Sequence, residues 1–283
     1  MKTIAIYNIK GGVGKTTTTI NLACLLAKMN LSVLVWDLDA QGGTSFFFDK
    51  EHQNNQNFGK LFSGYISIYD VIKPADTYHI DIIANDTLFS DQFINHASQL
   101  TKLDFFSNQL VKNVLSKVND DYDVVIIDCP PGKFTMHDNV FCATDLLLVP
   151  NIPAPLSMYC NDMLLAAMQK LQPSKTKIFS FFNLVQMQKK LHKTYLNSES
   201  SLVHQLENYI PFYTEIETIS QSKTSIFHQL KDSKSILYYE NLWDEICIKM
   251  GWDMFRVYRG RVVELNPESA ITYSEIAMIS QSL

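Results

Sequence analysis

The sequence predicts an α/β fold in which helices cover both faces of a mostly parallel sheet. Short apolar runs of strand length alternate along the chain with longer segments whose apolar residues recur at helical spacing. The runs at 32–36 and 123–127 are nearly continuous rather than alternating, which is typical of strands buried on both faces. Parallel neighbours need a crossover connection, and the intervening helical segments supply it.

The predicted elements follow one another in a regular order. Strands are expected at Thr3–Tyr7, Ser32–Trp36, His79–Ala84, Asp123–Ile127, Asp145–Val149 and Lys177–Phe182, with a short one near Asn208–Ile210. Helices are expected at Thr18–Met29, Leu100–Val118, Leu156–Leu171, Leu191–Leu206 and Ser235–Met250. Most consecutive strands are therefore expected to be connected by a helix.

Length and composition exclude several classes of protein. A chain of 283 residues with 46% apolar and 19% charged residues is typical of a globular protein with a full core. No apolar run approaches the length of a membrane span, and the first strand begins so early that we expect no signal peptide. The five scattered cysteines lack C-x-x-C spacing, so we expect reduced thiols and a cytoplasmic location.

A glycine-rich loop follows the first predicted strand. Residues 10–17 read Lys-Gly-Gly-Val-Gly-Lys-Thr-Thr, and the helical pattern starts directly after them, which is the order of a phosphate-binding loop. Glycines let backbone N–H groups turn toward phosphate oxygens, and the positive end of the following helix adds attraction. In such a loop Lys15 contacts the β- and γ-phosphates and the Thr16 hydroxyl binds Mg²⁺. The chain is therefore predicted to bind a nucleoside triphosphate.

The start of this loop departs from the usual G-x-x-x-x-G-K-[ST] pattern, because Ile9 replaces the first glycine and Lys10 precedes the glycine pair. The loop resembles the deviant Walker A motif of the ParA/MinD family of P-loop ATPases. The resemblance implies hydrolysis of ATP with Mg²⁺ and a homodimer that closes on ATP, with Lys10 reaching across to the partner's nucleotide. The loop residues expected to contact ATP are Lys10, Gly11, Gly12, Val13, Gly14, Lys15, Thr16 and Thr17.

Two carboxylate motifs complete the predicted site. Residues 37–42, Asp-Leu-Asp-Ala-Gln-Gly, resemble the family's D-x-D-P-Q-G motif with alanine in place of proline. The resemblance implies that Asp37 supports the Mg²⁺ shell and that Asp39 positions the attacking water; the alternative is a strand-terminal turn with solvated acids. Asp128 follows an apolar strand and matches a Walker B aspartate that holds Mg²⁺. The predicted catalytic residues are Lys10, Lys15 and Asp39, and the predicted metal residues are Thr16, Asp37 and Asp128.

The resemblance extends over roughly residues 1–250. It implies that Asn183 faces the adenine and that Pro211 lies in a loop that closes over the base. We expect one ParA-like ATPase domain over residues 1–250 and a C-terminal appendage of unknown role over residues 251–283. All arginines of the chain lie in this appendage, which is either a segment without a role or an arm that contacts phosphates.

The net charge of −5 does not favour nucleic acid as a partner of the whole surface. The lysines at 189–193 are either a solvated helix face or a local DNA contact. In ParA-type proteins, lysines on the dimer surface bind double-stranded DNA without sequence preference. The resemblance therefore implies a DNA patch that includes Lys189, Lys190, Lys193, Lys223, Lys231 and Lys234.

The leading hypothesis is an ATPase that partitions plasmid or chromosome DNA. Its ATP-bound dimer holds nonspecific DNA in the nucleoid, and a ParB-like centromere-binding partner stimulates the hydrolysis that releases it. The alternative is a MinD-like, membrane-associated spatial regulator. The predicted helix Ser235–Met250 has an apolar stripe, but its opposite face carries acidic residues rather than the lysines that an anionic membrane selects. We therefore expect this helix to pack in the core and expect no stable membrane association.

Overall fold

The computed structural model describes residues 1–49, 57–75, 79–86, 108–133, 136–173, 175–197, 204–217, 219, 223–229, 234–253, 256–258 and 261–263. Its centre is a seven-stranded sheet of β1 Lys2–Ile6, β2 Val33–Asp37, β3 Ile72–Ala75, β4 Ile80–Ile83, β5 Val124–Asp128, β6 Leu146–Asn151 and β7 Lys177–Phe182. The order across the sheet is β3-β4-β2-β5-β1-β6-β7. All neighbours are parallel except β3 and β4, so the predicted mostly parallel sheet is confirmed.

Helices follow most of the strands. They are α1 Lys15–Lys28, α2 Gly43–Phe47, α3 Asn57–Phe62, α4 Leu110–Leu115, α5 His137–Ala143, α6 Pro155–Leu171, α7 Lys190–Asn197, α8 Thr214–Glu217, α9 Ile226–Gln229 and α10 Lys234–Met250. Short 3₁₀ turns lie at Ile68–Asp70 and Ser116–Val118. Beyond the central sheet, β8 Arg256–Tyr258 and β9 Arg261–Val263 pair with each other in antiparallel fashion. Within the described residues, no helix combines the length and the apolar character needed to cross a membrane.

The sheet separates two hydrophobic clusters. Along β1, Ile4 and Ile6 belong to one cluster, whereas Ala5 and the following Tyr7 belong to the other. Successive side chains of a strand point to opposite faces, so this division means that both faces of the sheet are covered. Helices α1 and α10 pack in the first cluster, and α4, α5 and α6 pack in the second. The predicted coverage of both faces by helices is confirmed.

Helix α10 packs in the core as expected. Its apolar stripe supplies the buried residues Ile236, Tyr239, Leu242, Trp243 and Ile246. On the acidic side, Glu245 accepts hydrogen bonds from the backbone N–H groups of Glu207 and Asn208, at 2.8 and 2.9 Å. Both sides of the helix are thus engaged within the chain.

The core continues past the predicted end of the ATPase domain. Trp252 is 7% exposed, and its ring centroid lies 6.1 Å from that of Trp243. The Nζ of Lys2 lies 5.6 Å from the centroid of the Trp252 ring. The boundary at residue 250 remains a prediction, but the packed core reaches at least Trp252.

Three predicted elements differ from the structure. The short strand expected at Asn208–Ile210 is wrong: the described residues around it form two isolated bridges with β7 and the residues after it, Ser180 with Gln205 and Val185 with Pro211, and no strand. Leu184 has a φ of 54°, and this left-handed residue turns the chain away from a continuous ladder. Of the helix expected at 191–206, residues 191–197 are helical and residues 204–206 are not, while residues 198–203 lie outside the described part. Only residues 108–118 of the helix expected at 100–118 are described, and they form α4 and a 3₁₀ turn.

The sequence did not predict the edge strand β3. It contains Pro74, which cannot donate to a ladder, and both Lys73 and Pro74 are exposed. Such residues are tolerated at the edge of a sheet and discourage pairing with another chain. The sequence of residues 72–75 is typical of a loop, yet it forms a strand because an edge strand has to pair with a neighbour on one side only, here β4.

Candidate active site

The glycine-rich loop connects β1 to α1 at the carboxyl end of the sheet. Gly12 and Gly14 adopt left-handed conformations with φ of 70° and 86°, which are accessible to glycine without strain. Gly14 directly precedes α1 and has no side chain to cap it, so the first N–H groups of the helix stay available to an anion. The loop therefore has the backbone arrangement of a phosphate cradle.

Asn183, the predicted adenine contact, lies against this loop. Its Nδ2 donates to the carbonyl oxygen of Val13 at 2.8 Å, and its Oδ1 accepts from the N–H of Leu184 at 2.9 Å. A Cβ at Gly14 would lie only 2.4 Å from the same Nδ2, so the close approach requires glycine. The side chain is buried and holds the loop in place. Contact with adenine remains a prediction for Asn183 and for Pro211, which lies buried beside Val185.

Two further asparagines support the loop from the ends of neighbouring strands, and sequence reasoning missed both. The Nδ2 of Asn8 donates to the Oδ1 of Asn151 at 2.9 Å, and the Oδ1 of Asn8 accepts from the N–H of Lys10 at 2.8 Å. The backbone N–H of Asn183 in turn donates to the carbonyl of Asn151 at 2.7 Å. The signal in the sequence was a buried-strand pattern followed by an amide, seen at each of the three strand ends.

A pair of buried carboxylates lies beside the loop. Asp37 ends β2 and Asp128 ends β5, and the two residues are direct partners in the register of these parallel strands. Both are 0% exposed. Burial raises the pKa of each carboxyl group above its ordinary value, and the neighbouring negative charge of Asp128 adds to the rise for Asp37. A cation that bound here would relieve both effects.

Hydroxyl groups hold Asp128 through one of its two oxygens. Its Oδ2 accepts from the hydroxyls of Thr16 at 2.8 Å and Thr44 at 2.7 Å. Its Oδ1 is buried and has no hydrogen-bond partner among the described residues. A buried carboxylate oxygen without a donor is the expected place for a metal ion or its water, since such atoms are otherwise satisfied.

Asp37 is held by the residue after Thr44. The backbone N–H and the hydroxyl of Ser45 donate to its Oδ2 at 2.8 and 2.7 Å. The N–H of Asp39 approaches its Oδ1 at 3.1 Å. Sequence reasoning missed Thr44 and Ser45; the available signal was a pair of hydroxyl residues directly after the Asp-Leu-Asp-Ala-Gln-Gly motif.

Lys15 and Asp39 lie near this pair. Lys15 is 7% exposed, and burial lowers its pKa while the attraction of Asp128 and Asp39 opposes the shift. Asp39 is half-buried, and its Oδ1 accepts from the N–H of Gln41 at 2.9 Å. The structure thus brings together five of the predicted residues: Lys15, Thr16, Asp37, Asp39 and Asp128.

Lys10 has a different environment. Its Nζ lies 3.4 Å from the hydroxyl of Ser157, a buried residue in the first turn of α6. Lys10 itself is half-buried. The Lys10 side chain is therefore directed toward α6, which follows β6, and not toward the carboxylate pair at the ends of β2 and β5.

The predicted DNA lysines divide into separate groups. Lys189, Lys190 and Lys193 are exposed at the start of α7, and Lys234 is exposed at the start of α10. Lys231 lies outside the described residues.

Lys223 does not lie with the lysines of α7. It forms an ion pair with Asp49, and its Nζ lies 4.3 Å from the centroid of the Phe46 ring in α2. Helix α2 follows β2, whereas α7 follows β7 four strand positions away, roughly 19 Å at the usual strand spacing. The prediction that Lys223 contributes to one patch with Lys189, Lys190 and Lys193 is therefore not supported by its position.

Comparisons with known proteins identify a family and several relatives of this chain. Residues 1–181 match the model of a family described as an AAA domain. A ParA family protein of Chlamydia pneumoniae is 33% identical over 154 residues, which are 54% of this chain and 59% of that protein. The sporulation initiation inhibitor protein Soj of Bacillus subtilis is 32% identical over 150 residues, 53% of this chain and 57% of Soj. The chain thus spans under two thirds of the length of these relatives.

A solved structure extends the likeness at the level of the fold. The structure in question is the ATP complex of Cyanothece McdA with one aspartate-to-alanine substitution. It superposes on this chain with a TM-score of 0.72 and 20% sequence identity, and the match covers 87% of this chain and 96% of the McdA chain. Together with the family match over residues 1–181, the fold and the loop confirm the resemblance predicted from residues 10–17. The chain belongs to this family of AAA domains, and its relatives include ParA family proteins.

Proposed function

We propose that this chain is a Mg²⁺-dependent ATPase whose ATP-bound dimer acts in the partitioning of plasmid or chromosome DNA. The observation that carries the proposal is the meeting of Lys15, Thr16 and Asp128 beside a glycine loop that precedes a helix. A lysine, a hydroxyl and a buried carboxylate at the end of a neighbouring strand are the groups that P-loop enzymes use for nucleotide and Mg²⁺.

The donor set fits Mg²⁺. The ion prefers oxygen ligands, and the site offers the Thr16 hydroxyl, the unpartnered Oδ1 of Asp128 and, next to it, the carboxylate of Asp37. When bound there, Mg²⁺ would neutralise charge on the β- and γ-phosphates. The acidic pair by itself would repel a triphosphate, so the metal and Lys15 are both needed to balance the charge.

In the proposed reaction, the residues of the chain position groups and stabilise charge. Lys15 and the N–H groups of the loop hold the phosphates, and Asp39 orients a water molecule toward the γ-phosphate. Lys10 acts on the nucleotide of a second copy of the chain. Its present direction, toward Ser157 and away from the carboxylate pair, fits a lysine that serves another subunit's site.

The ATP-bound dimer is proposed to bind double-stranded DNA of any sequence through the exposed lysines of α7. A ParB-like partner bound to a centromere-like site would stimulate hydrolysis and release the dimer from DNA. The apolar stripe of α10 is buried in the core, which argues against a membrane role for this helix in the MinD-like alternative.

Nucleotide binding is tested with Lys15→Ala. The variant should lose measurable affinity for ATP in calorimetry, since the phosphates lose their main cation in a buried site. Wild-type affinity in a folded Lys15→Ala protein would refute the assignment of the loop.

DNA binding is tested by gel shift with ATP, with ADP and at two salt concentrations. Binding should require ATP and weaken steeply with salt, because each phosphate contact releases counterions. Reversing the charge of Lys189, Lys190 and Lys193 together should reduce the affinity and flatten the salt dependence while ATP affinity is unchanged.

A matched control reverses three exposed lysines elsewhere, Lys73, Lys112 and Lys170, which changes the net charge by the same amount. Equal loss of DNA binding in both triple variants would mean that only net charge matters. Binding to anionic liposomes without binding to DNA would favour the MinD-like alternative instead.

A further inference from the structure

Thr44 contacts the predicted Walker B aspartate although no motif marks it. Its hydroxyl donates to the Oδ2 of Asp128 at 2.7 Å, across 84 residues of sequence, and both residues are 0% exposed. In a buried site, a hydrogen bond to a carboxylate is about twice as strong as one between neutral groups. The contact is therefore part of what determines the orientation of this carboxylate.

The two hydroxyl groups that donate to Asp128 differ in their other expected contacts. Thr16 belongs to the glycine loop and is itself expected to contact Mg²⁺, whereas Thr44 lies in α2 and has no predicted contact with nucleotide. Because both hydroxyls bond to Oδ2, the carboxylate is fixed with Oδ1 as the oxygen that lacks a donor among the described residues. Groups that hydrogen-bond a ligating carboxylate from behind commonly set its affinity for the metal.

The surroundings of α2 hold Thr44 in place before any metal binds. Ser45 donates to Asp37 from both its N–H and its hydroxyl, and the same hydroxyl accepts from the N–H of Asn85 at 2.9 Å. On the other side, α2 approaches the glycine loop so closely that a Cβ at Gly43 would lie 3.1 Å from the Cγ2 of Thr16. The helix is thus fixed against β2, β4 and the loop.

We propose that Thr44 is a positioning residue for the divalent cation: its hydroxyl holds Asp128 so that Oδ1 faces the metal. This inference rests on the proposed nucleotide and Mg²⁺ binding. Through Thr44, helix α2 then controls the affinity of the site for the metal separately from its affinity for the nucleotide.

Thr44→Val tests the claim, because valine keeps the size of threonine and removes the donor. Two calorimetric titrations are made on the full chain. In the first, ADP is added in the presence of EDTA; in the second, Mg²⁺ is added to the ADP complex without EDTA. Because ADP is used, hydrolysis plays no part. The variant should bind ADP in EDTA as the wild type does, and should need a Mg²⁺ concentration roughly 10- to 100-fold higher for half-saturation. Thr44→Ser, which restores the hydroxyl, should return the Mg²⁺ midpoint to the wild-type range.

Thr19→Val is the matched control. Thr19 is also 0% exposed, but its hydroxyl has no hydrogen-bond partner in the described part of the chain, so the substitution should change neither titration.

A wild-type Mg²⁺ midpoint in Thr44→Val would overturn the inference, as would an equal loss of ADP affinity in EDTA. If the valine variant does not fold, Thr44→Ala removes the same donor and repeats the test. A wild-type protein whose ADP binding ignores Mg²⁺ would refute the proposed function itself.

Discussion

Gly14→Ala should destabilise the free protein more than the same substitution at Gly12. Both glycines have positive φ, 86° and 70°, so an alanine costs backbone strain of about 1–2 kcal/mol at either position. Only at Gly14 would the added Cβ also meet another atom, the Nδ2 of Asn183 at 2.4 Å. No described atom lies within 4 Å of a Cβ at Gly12. The two variants therefore share the strain and differ in the clash.

The size of the difference follows from the contact that has to break. To make room, Asn183 must withdraw from the carbonyl of Val13, with which it forms a buried hydrogen bond of 2.8 Å. Leaving a buried polar group without its partner costs roughly 1–3 kcal/mol. We expect Gly14→Ala to lower the free energy of unfolding by about 2–5 kcal/mol and Gly12→Ala by about 1–2 kcal/mol.

Urea unfolding of the nucleotide-free chain, followed by far-UV circular dichroism, measures both values. A double-mutant cycle isolates the clash: in the Asn183→Ala background, the cost of Gly14→Ala should fall to the cost of strain alone. Equal destabilisation by Gly12→Ala and Gly14→Ala, or an unchanged cost in the Asn183→Ala background, would contradict a clash between an alanine Cβ at position 14 and Asn183. In that case the loop would not depend on its contact with Asn183.

Three further outcomes are expected. Asp39→Ala should bind ATP and dimerise normally but hydrolyse it roughly 10²- to 10⁴-fold more slowly in single-turnover assays, and wild-type turnover would make Asp39 a turn residue only. Lys10→Ala should keep the nucleotide affinity of a monomer but lose ATP-dependent dimers on sizing chromatography; undiminished dimerisation would exclude a role across the interface. Truncation after residue 250 removes the buried Trp252 and should lower the free energy of unfolding by about 3–5 kcal/mol, whereas truncation after residue 253 should lower it little. Urea unfolding measures both values, and equal stability of the two truncated chains would show that Trp252 does not contribute to the core.

The glycine loop and the carboxylates at the strand ends could be predicted from the sequence. Each depends on a few adjacent residues: glycines where φ is positive, a lysine and a threonine at the start of a helix, and an aspartate after a buried strand. For the same reason, the predicted boundaries of most strands lie within two residues of the observed ones, since an apolar run marks a buried strand directly.

The edge strand and the isolated bridge at Pro211 could not be predicted in this way. Residues 72–75 form a strand because β4 lies beside them. Residues 208–210 do not form one, and the turn at Leu184 lies next to the isolated bridge between Val185 and Pro211. The pattern of one segment does not show which neighbour that segment will pair with, because strand formation depends on packing against cross-strand neighbours, whether near in the sequence, as β4 is to β3, or farther away.

The type of chemistry follows from local patterns of the sequence, since the phosphate loop and its two aspartate motifs each consist of a few neighbouring residues. How that chemistry is supported depends instead on contacts between residues that lie far apart in the sequence. Thr44 reaches Asp128 across 84 residues of sequence, and Asn183 reaches Val13 across 170 residues. A hydroxyl or an amide becomes a positioning group only when the order of the strands in the sheet places a buried, unsatisfied partner within about 3 Å of it.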